Sequence, residues 1–349
     1  MNAYELLKSW QSDPCFAAPQ PQRPSFPKTV WLTLTRACNL HCSWCYSMQA
    51  IGEAPEQTDE AHTLNLIQRL AQNGVKRFVL IGGEPTLFPG IKDIVSQILN
   101  VGCQVGVATN GIRLADQIFT KEICYAGVYF NISLKGVSEQ EYISLTGRPG
   151  LVETLRGIHN LNKHRGNYVV SFVLTNTSAD QLNKLRELLL SIHVSEVVFQ
   201  TDKPSFSNSL NSNYIQTLAK SCELADQIFS TSKNRLKYKF ELSFPLCMIE
   251  KGFATRLIDQ NLIDTCCDVA KCKGIVVDCD GTLLPCNHFI GYPLLDGPTD
   301  ANRIISYCKS SDYKRFGDLA NRFPMSKCIN CSWWEICRGG CLIEWIGGK

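Results

Sequence analysis

Short apolar runs alternate with amphipathic stretches through the first two thirds of the chain. TVWLTLT (29–35) reads as a strand. A helix is predicted over 58–73, with Thr58 as N-cap, Leu64, Ile67 and Leu70 on one face, and Gly74 as the stop. RFVLIG (77–82) is an apolar run of the kind that buried parallel strands show. A helix over 90–100 carries Ile91, Ile94, Val95 and Ile98, and CQVGVAT (103–109) is the next strand. A short helix fits 112–120. GVYFNISL (127–134) is a strand, 151–163 a helix and YVVSFVLT (168–175) a strand. Ser178 or Thr177 caps a helix with Leu182, Leu185, Leu188 and Leu189 on one face, and EVVFQTD (196–202) is a sixth strand. Six strands, each followed by a helix or a return, predict an α/β fold with a parallel sheet or barrel. Ligands of such sheets bind at the C-terminal ends of the strands.

The flanks read differently. Residues 14–28 hold five prolines, so 1–28 are expected to be a proline-rich leader segment without a core of its own. The segment 207–232 is helical in pattern. Beyond about 235 come short strands, turn residues and dense cysteines, which places a boundary between a 29–235 core and a 236–349 extension.

Composition changes the picture at one point. A net charge of +3, from 35 Lys and Arg against 32 Asp and Glu, is too balanced to argue for nucleic acid or a membrane surface. The N-terminus lacks a signal peptide's basic and apolar regions, and no run of apolar residues is long enough to span a bilayer. A cytoplasmic location is expected. The 18 cysteines are the exception: in that compartment they suit metal better than disulfides. Ten lie between Cys266 and Cys341, and three lie together directly after the first strand.

Those three, Cys38, Cys42 and Cys45, form C-x3-C-x2-C. Three thiolates on one loop can hold three corners of a 4Fe–4S cube and leave one iron open to substrate or cofactor. His41 offers a competing zinc reading, but no second Cys/His pair lies nearby. The stretch CNLHCSWCY (38–46), with Trp44 before the last cysteine, resembles the radical SAM superfamily, and GGEP (82–85) at the end of the second strand strengthens the match. The resemblance covers about 29–202 and implies a partial (β/α)6 TIM-like barrel. It implies that Gly82, Gly83, Glu84 and Pro85 contact the amino group of S-adenosylmethionine (SAM): the glycines allow close approach and Glu84 supplies negative charge. It further implies roles at the cofactor for Asn110 in TNG, for Ser133 in NISLKG, and for Arg148 at the SAM carboxylate. Lys135 stands where the family often has an acid.

The tail carries C-x2-C-x5-C-x3-C at Cys328, Cys331, Cys337 and Cys341, preceded by G-x4-C from Gly281 to Cys286. This resembles the SPASM extension, which holds two auxiliary 4Fe–4S clusters. Carried over, Cys266, Cys272, Cys286 and Cys341 would hold the first, with Cys267 able to replace Cys266. Cys328, Cys331 and Cys337 would hold the second. No cysteine follows Cys341, so the second set is one ligand short, and Cys247, Cys279, Cys308 and Glu344 are candidates to complete it. A pair of zinc ribbons is the competing reading. Cys103 and Cys124 read as small buried hydrophobes, and Trp333, Trp334 and Trp345 as cover for the clusters.

The resemblance implies an enzyme that cleaves SAM to a 5′-deoxyadenosyl radical and abstracts hydrogen from a substrate. A ribosomally made precursor peptide, crosslinked or otherwise modified, is the expected substrate. Sulfatase maturation to formylglycine, small-molecule dehydrogenation and plain iron–sulfur electron transfer are the alternatives. A reductant such as flavodoxin or ferredoxin is implied. The 28 residues before the first strand are too few for a winged-helix leader-binding domain, so the expectation is either a separate leader-recognition protein or direct docking of the leader peptide on this chain.

Overall fold

In the computed structural model the described residues are 1–10, 26–47, 57–125, 127–203, 211–232, 234–263, 267, 269 and 272–347. The strands are β1 (Thr29–Thr35), β2 (Arg77–Gly82), β3 (Gln104–Thr109), β4 (Val128–Leu134), β5 (Asn167–Leu174), β6 (Glu196–Thr201), β7 (Lys237–Glu241), β8 (Gly274–Val277) and β9 (Leu283–Leu284). The helices that follow or flank them are α1 (Ala3–Trp10), α2 (Glu60–Gln72), α3 (Ile91–Asn100), α4 (Gln117–Ile123), α5 (Glu139–Thr146), α6 (Leu151–Lys163) and α7 (Ala179–Ser191). The later helices are α8 (Ser212–Ser230), α9 (Lys251–Asp259), α10 (Ala301–Cys308), α11 (Ser311–Ala320), α12 (Trp334–Cys337) and α13 (Leu342–Gly347).

All nine strands join one sheet in the order β7-β6-β5-β4-β3-β2-β1-β8-β9. Every pairing is parallel except the antiparallel β8–β9 hairpin. The order is linear, so the sheet is an open part of a barrel. The six strands expected from periodicity are present within a residue of their expected limits. Runs such as TVWLTLT are buried along almost their whole length, because helices cover the sheet. Parallel pairing also puts the ends of β1, β2, β3 and β4 on one rim. Residues 36–45, 83–85, 110 and 133–135 therefore come to that rim together.

The sheet runs across the boundary expected near 235. β7 adds to β6, and β8 pairs with β1 from Thr29↔Gly274 to Leu32↔Val277. One continuous core includes Leu7, Phe78, Phe199, Ile275 and Ile343.

Three local expectations are corrected. The helix predicted over 112–120 is a 3-10 turn at Arg113–Ala115 followed by α4, because Asp116 stops one and caps the other through Ile118 N and Phe119 N. Helix α5 was not predicted; Ser138 caps its start, and Gly147 in the left-handed region ends it. The leader is not without structure: Ala3–Trp10 is helical, and buried Ala3 and Leu7 face α11 and α13. The prolines from Pro14 to Pro24 lie outside the described residues.

Candidate functional site

Gly82 and Gly83 sit against the end of β1 at a spacing that excludes any side chain. Gly82 has φ +151°, and a Cβ there would lie 2.3 Å from the Thr35 carbonyl oxygen. A Cβ on Gly83 would lie 2.4 Å from the Ala37 oxygen. The turn is held by Gly83 N donating to Thr35 O (2.8 Å) and Glu84 N donating to Ala37 O (2.8 Å). The glycines thus serve the close approach of two stretches of backbone, one of which leads straight into Cys38.

Glu84 is buried, and its carboxylate is engaged by the protein. Oε1 accepts from Thr86 N (3.1 Å), Thr86 Oγ1 (2.7 Å) and Thr109 Oγ1 (2.6 Å), and Oε2 accepts from Asn110 N (2.8 Å). Burial raises its pKa above the ordinary carboxyl value, against the pull of these four donors. The charge that the sequence offered to an ammonium is directed at the ends of β2 and β3. Asn110 continues the chain of contacts: its Nδ2 donates to Asn39 Oδ1 (2.7 Å), one residue beyond Cys38. Pro85 is buried at the first position of the 3-10 turn.

The cysteine loop hangs from α5. His41 N donates to Thr146 O (2.8 Å) and Ser43 N to Leu145 O (3.2 Å). Arg148, exposed just after α5, approaches His41 Nε2 through its guanidinium (3.2 Å). Lys135 reaches the loop from β4: its Nζ donates to Ser133 Oγ (2.6 Å) and lies 5.7 Å from the Trp44 ring centre. Every SAM-site residue expected from the sequence is therefore gathered at or beside this loop. Sequence reasoning gave no role to Thr109 and Asn39, which lie inside the quoted TNG and CNLHCSWCY stretches, or to Thr86, which directly follows GGEP.

Burial pushes the Cys38 thiol up to about 11, and the charges of Glu84, Cys42 and Cys45 add to it. Burial also raises Cys42, with Lys135 opposing and Cys45 adding. The three sulfurs thus feel one another's charge, and Lys135 is the cation that favours thiolate. The donor set, three half-buried thiols on a loop fixed at both ends, fits a cluster that takes three protein ligands. Among the described residues no three His, Cys, Asp or Glu side chains are gathered for a single metal ion. A cube takes one thiolate per iron, so its ligands stand further apart than those of one ion.

The C-terminal cysteines form two groups. No described cysteine is paired in a disulfide. Cys266 lies outside the described residues, and Cys267 sits with Cys286 and Cys341: both thiols are raised first by burial and then by the charge of Cys267. Cys272, pushed up to about 12 chiefly by burial, also feels Cys267. Cys328, Cys331 and Cys337 form the second group around α12. Two candidates for its missing ligand lie elsewhere: Cys308 beside Cys272, and Cys279 beside Arg36. Glu344 follows Cys341, its backbone N donating to Cys341 O at 3.2 Å.

Two contacts join the core loop to the extension. Arg36 and Asp278 form a buried ion pair, and Arg36 Nη1 donates to Ser47 Oγ (3.4 Å). The Tyr46 ring lies 5.1 Å from that of His288, two residues after Cys286. Near the same rim Lys203 Nζ donates to Glu241 (2.6 Å); burial opposes both charges, but their attraction raises the lysine pKa and lowers the glutamate's.

This geometry has a counterpart in known proteins. Residues 32–189, from within β1 to within α7, match the Radical SAM superfamily. The sporulation killing factor maturation protein SkfB of Bacillus subtilis is 29% identical over 162 residues, 46% of this chain and 39% of SkfB. The chain thus spans about two fifths of that relative's length in the match. Among solved structures, Streptococcus suis SuiB bound to SAM superposes with a TM-score of 0.68 at 18% identity, covering 93% of this chain and 75% of SuiB. The structure titled native anSMEcpe with bound AdoMet and Cp18Cys peptide gives 0.68 at 16% identity, covering 90% and 89%. At such identities the likeness is one of fold, and it bears out the open part-barrel with its cysteine-rich extension. Among the described residues no helix is long and apolar enough to cross a membrane.

Proposed function

We propose that this protein is a radical SAM enzyme that modifies a peptide made on the ribosome. The observation that carries the reading is the clasp between the two motifs: the Gly82-Gly83-Glu84 turn is hydrogen-bonded onto residues 35–37, so the three-cysteine loop leaves β1 in a fixed direction. A 4Fe–4S cluster, with one iron left open and reduced by an external one-electron donor, would supply the chemistry that cleaves SAM to methionine and a 5′-deoxyadenosyl radical able to take hydrogen from a C–H bond. Cys38, Cys42 and Cys45 would hold that cluster. Glu84 and Asn110 fix the ends of β2 and β3, and Arg148, exposed beside His41, would meet a carboxylate. Ser133 is held by Lys135, which adds positive charge beside Cys42. Trp44 and Lys135 share a small recess of about 30 Å³ with Phe172, Thr175, Thr177 and Gln181 at the ends of β4 and β5. Precise placement and exclusion of water are what the chain contributes to such chemistry.

The peptide assignment draws support from SkfB, a maturation protein by name, and from SuiB, whose structure was also solved with its precursor peptide SuiA. The chain is to be reconstituted anaerobically, reduced, and assayed for 5′-deoxyadenosine with and without candidate precursor peptides. Product from wild type, absent in Cys38→Ala, Cys42→Ala and Cys45→Ala, supports the reading. Product that persists in any of these variants refutes the core assignment. Modification of a sulfatase peptide alone would replace the substrate class.

A further inference from the structure

The second cysteine group has a fourth member that comes from outside the C-terminal motif. After β7 the chain turns at Pro245 into a 3-10 turn, Leu246–Met248, with Cys247 at its centre. That turn is strapped to the cysteine-rich tail. Leu246 N donates to Cys337 Sγ (3.3 Å), and Cys341 N donates to Ser243 O (2.6 Å). Gly340, at φ +80°, lets the tail pass so close that a Cβ would lie 2.7 Å from the Phe244 carbonyl carbon and 2.9 Å from Pro245 N. Cys328 and Cys331 are held beside Cys337 by successive turns, with Cys331 N donating to Cys328 O (3.2 Å) and Trp334 N to Cys331 O (3.1 Å).

The Leu246 N–H that reaches Cys337 Sγ sets Cys247, the next residue, beside this group. Cys328 and Cys337 are buried, Cys331 half-buried, and Cys247 is exposed on the outer side of the group. Of the other cysteine candidates, Cys308 lies beside Cys272 and Cys279 beside Arg36.

We infer that Cys247 completes the set of Cys328, Cys331 and Cys337, so that the second auxiliary site holds a 4Fe–4S cluster with a protein thiolate on every iron. The inference rests on the iron–sulfur reading of the extension. It makes this site one that stores or passes electrons rather than one that binds substrate through an open iron. It also places a ligand from the β7 exit on a cluster held by α12, with the Leu246 N–H as a sulfur hydrogen bond of the kind that tunes cluster potential.

Two measurements on the full chain test this. In the first, the reconstituted wild type is treated with iodoacetamide and its cysteines mapped, before and after iron is stripped with a chelator. Cys247 is expected to be blocked when loaded and reactive when stripped; alkylation of Cys247 at full iron loading overturns the inference. In the second, Cys247→Ser, Cys279→Ser and Cys308→Ser are compared for iron, sulfide and Mössbauer spectra. Three cubes correspond to about 12 iron per chain. Cys247→Ser alone is expected to lose about a third of it, or to convert one cube into a form with a chelator-labile iron. Wild-type iron and spectra in Cys247→Ser overturn the inference. Wild type with about four iron and bound zinc in the tail would instead overturn the underlying cluster reading, whether or not Cys247→Ser releases that zinc. Far-ultraviolet circular dichroism of the stripped proteins controls for folding.

Discussion

Replacing Glu84 by Gln separates two roles that the sequence alone leaves merged. In the structure the carboxylate accepts four hydrogen bonds from buried donors. The best placement of a glutamine keeps its oxygen at the site of Oε1 and turns its NH2 towards Asn110 N. The Asn110 N–H then faces the side-chain NH2, also a donor, and an unsatisfied buried group costs about 1–3 kcal/mol. A loss of about 1–3 kcal/mol follows. With an unfolding entropy of about 2.1 cal/mol/K per residue over 349 residues, that is a drop of about 1–4 °C in melting temperature. The sign with pH is also fixed. Glu84 has a raised pKa in the folded chain, so its contribution is whole below the unfolded-state value and is lost as the pH rises through the raised one. Gln does not titrate, so the wild type's advantage should be greatest on the acid side and narrow upward. Thermal melts and isothermal SAM titrations on both proteins are the assay. A glutamine variant that melts with the wild type, while its SAM affinity falls tenfold, would refute the reasoning and return Glu84 to the ammonium.

Three further outcomes are expected. Gly82→Ala should fail to give stable protein, because its Cβ would meet the Thr35 oxygen at 2.3 Å and its φ of +151° is closed to alanine; expression and circular dichroism check this. Arg36→Leu strands the buried Asp278 carboxylate and should cost about 3–5 kcal/mol in denaturant melts. Burial already raises Asp278, and the loss of its counter-charge raises it further, so the deficit should shrink as the pH falls into the carboxyl range. Leu7→Ala should cost about 2–5 kcal/mol in the same assay, since Leu7 is fully buried; a neutral result would show that α1 is not part of the core.

The strands were legible because each is a short apolar run bounded by turn residues; β1 is buried at almost every position, while β3, β4 and β6 alternate buried with half-exposed residues. Helix α5 was not: Tyr142 is buried but its neighbour Ile143 is exposed, so no apolar stripe forms, and caps define the helix instead. Helix α1 had a signal that the prolines behind it obscured. Asn2 and Glu5 exchange side-chain and backbone bonds as a capping box, and Ala3 and Leu7 share one face. At the site, spacing named the cysteines and the glycines but not their partners. The placement of Cys247 depends on a strap between residues 243–246 and 337–341, and local pattern carries no trace of a contact at that separation.

The pairing of β8 with β1 bears on what can be cut from this protein. Gly274 lies under the Trp31 ring, where any Cβ would come within 2.0 Å of it, so the two strands are fitted to each other across more than two hundred residues. A fragment ending after α9 would keep the cysteine loop and the glycine turn, yet it would leave β1 as an unpaired edge. The run TVWLTLT is a poor edge: β-branched, aromatic and without charge. Such a fragment would offer a template to any free strand in solution, its own copies first. In this sense the cysteine-rich extension is also the guard on the sheet's most adhesive margin.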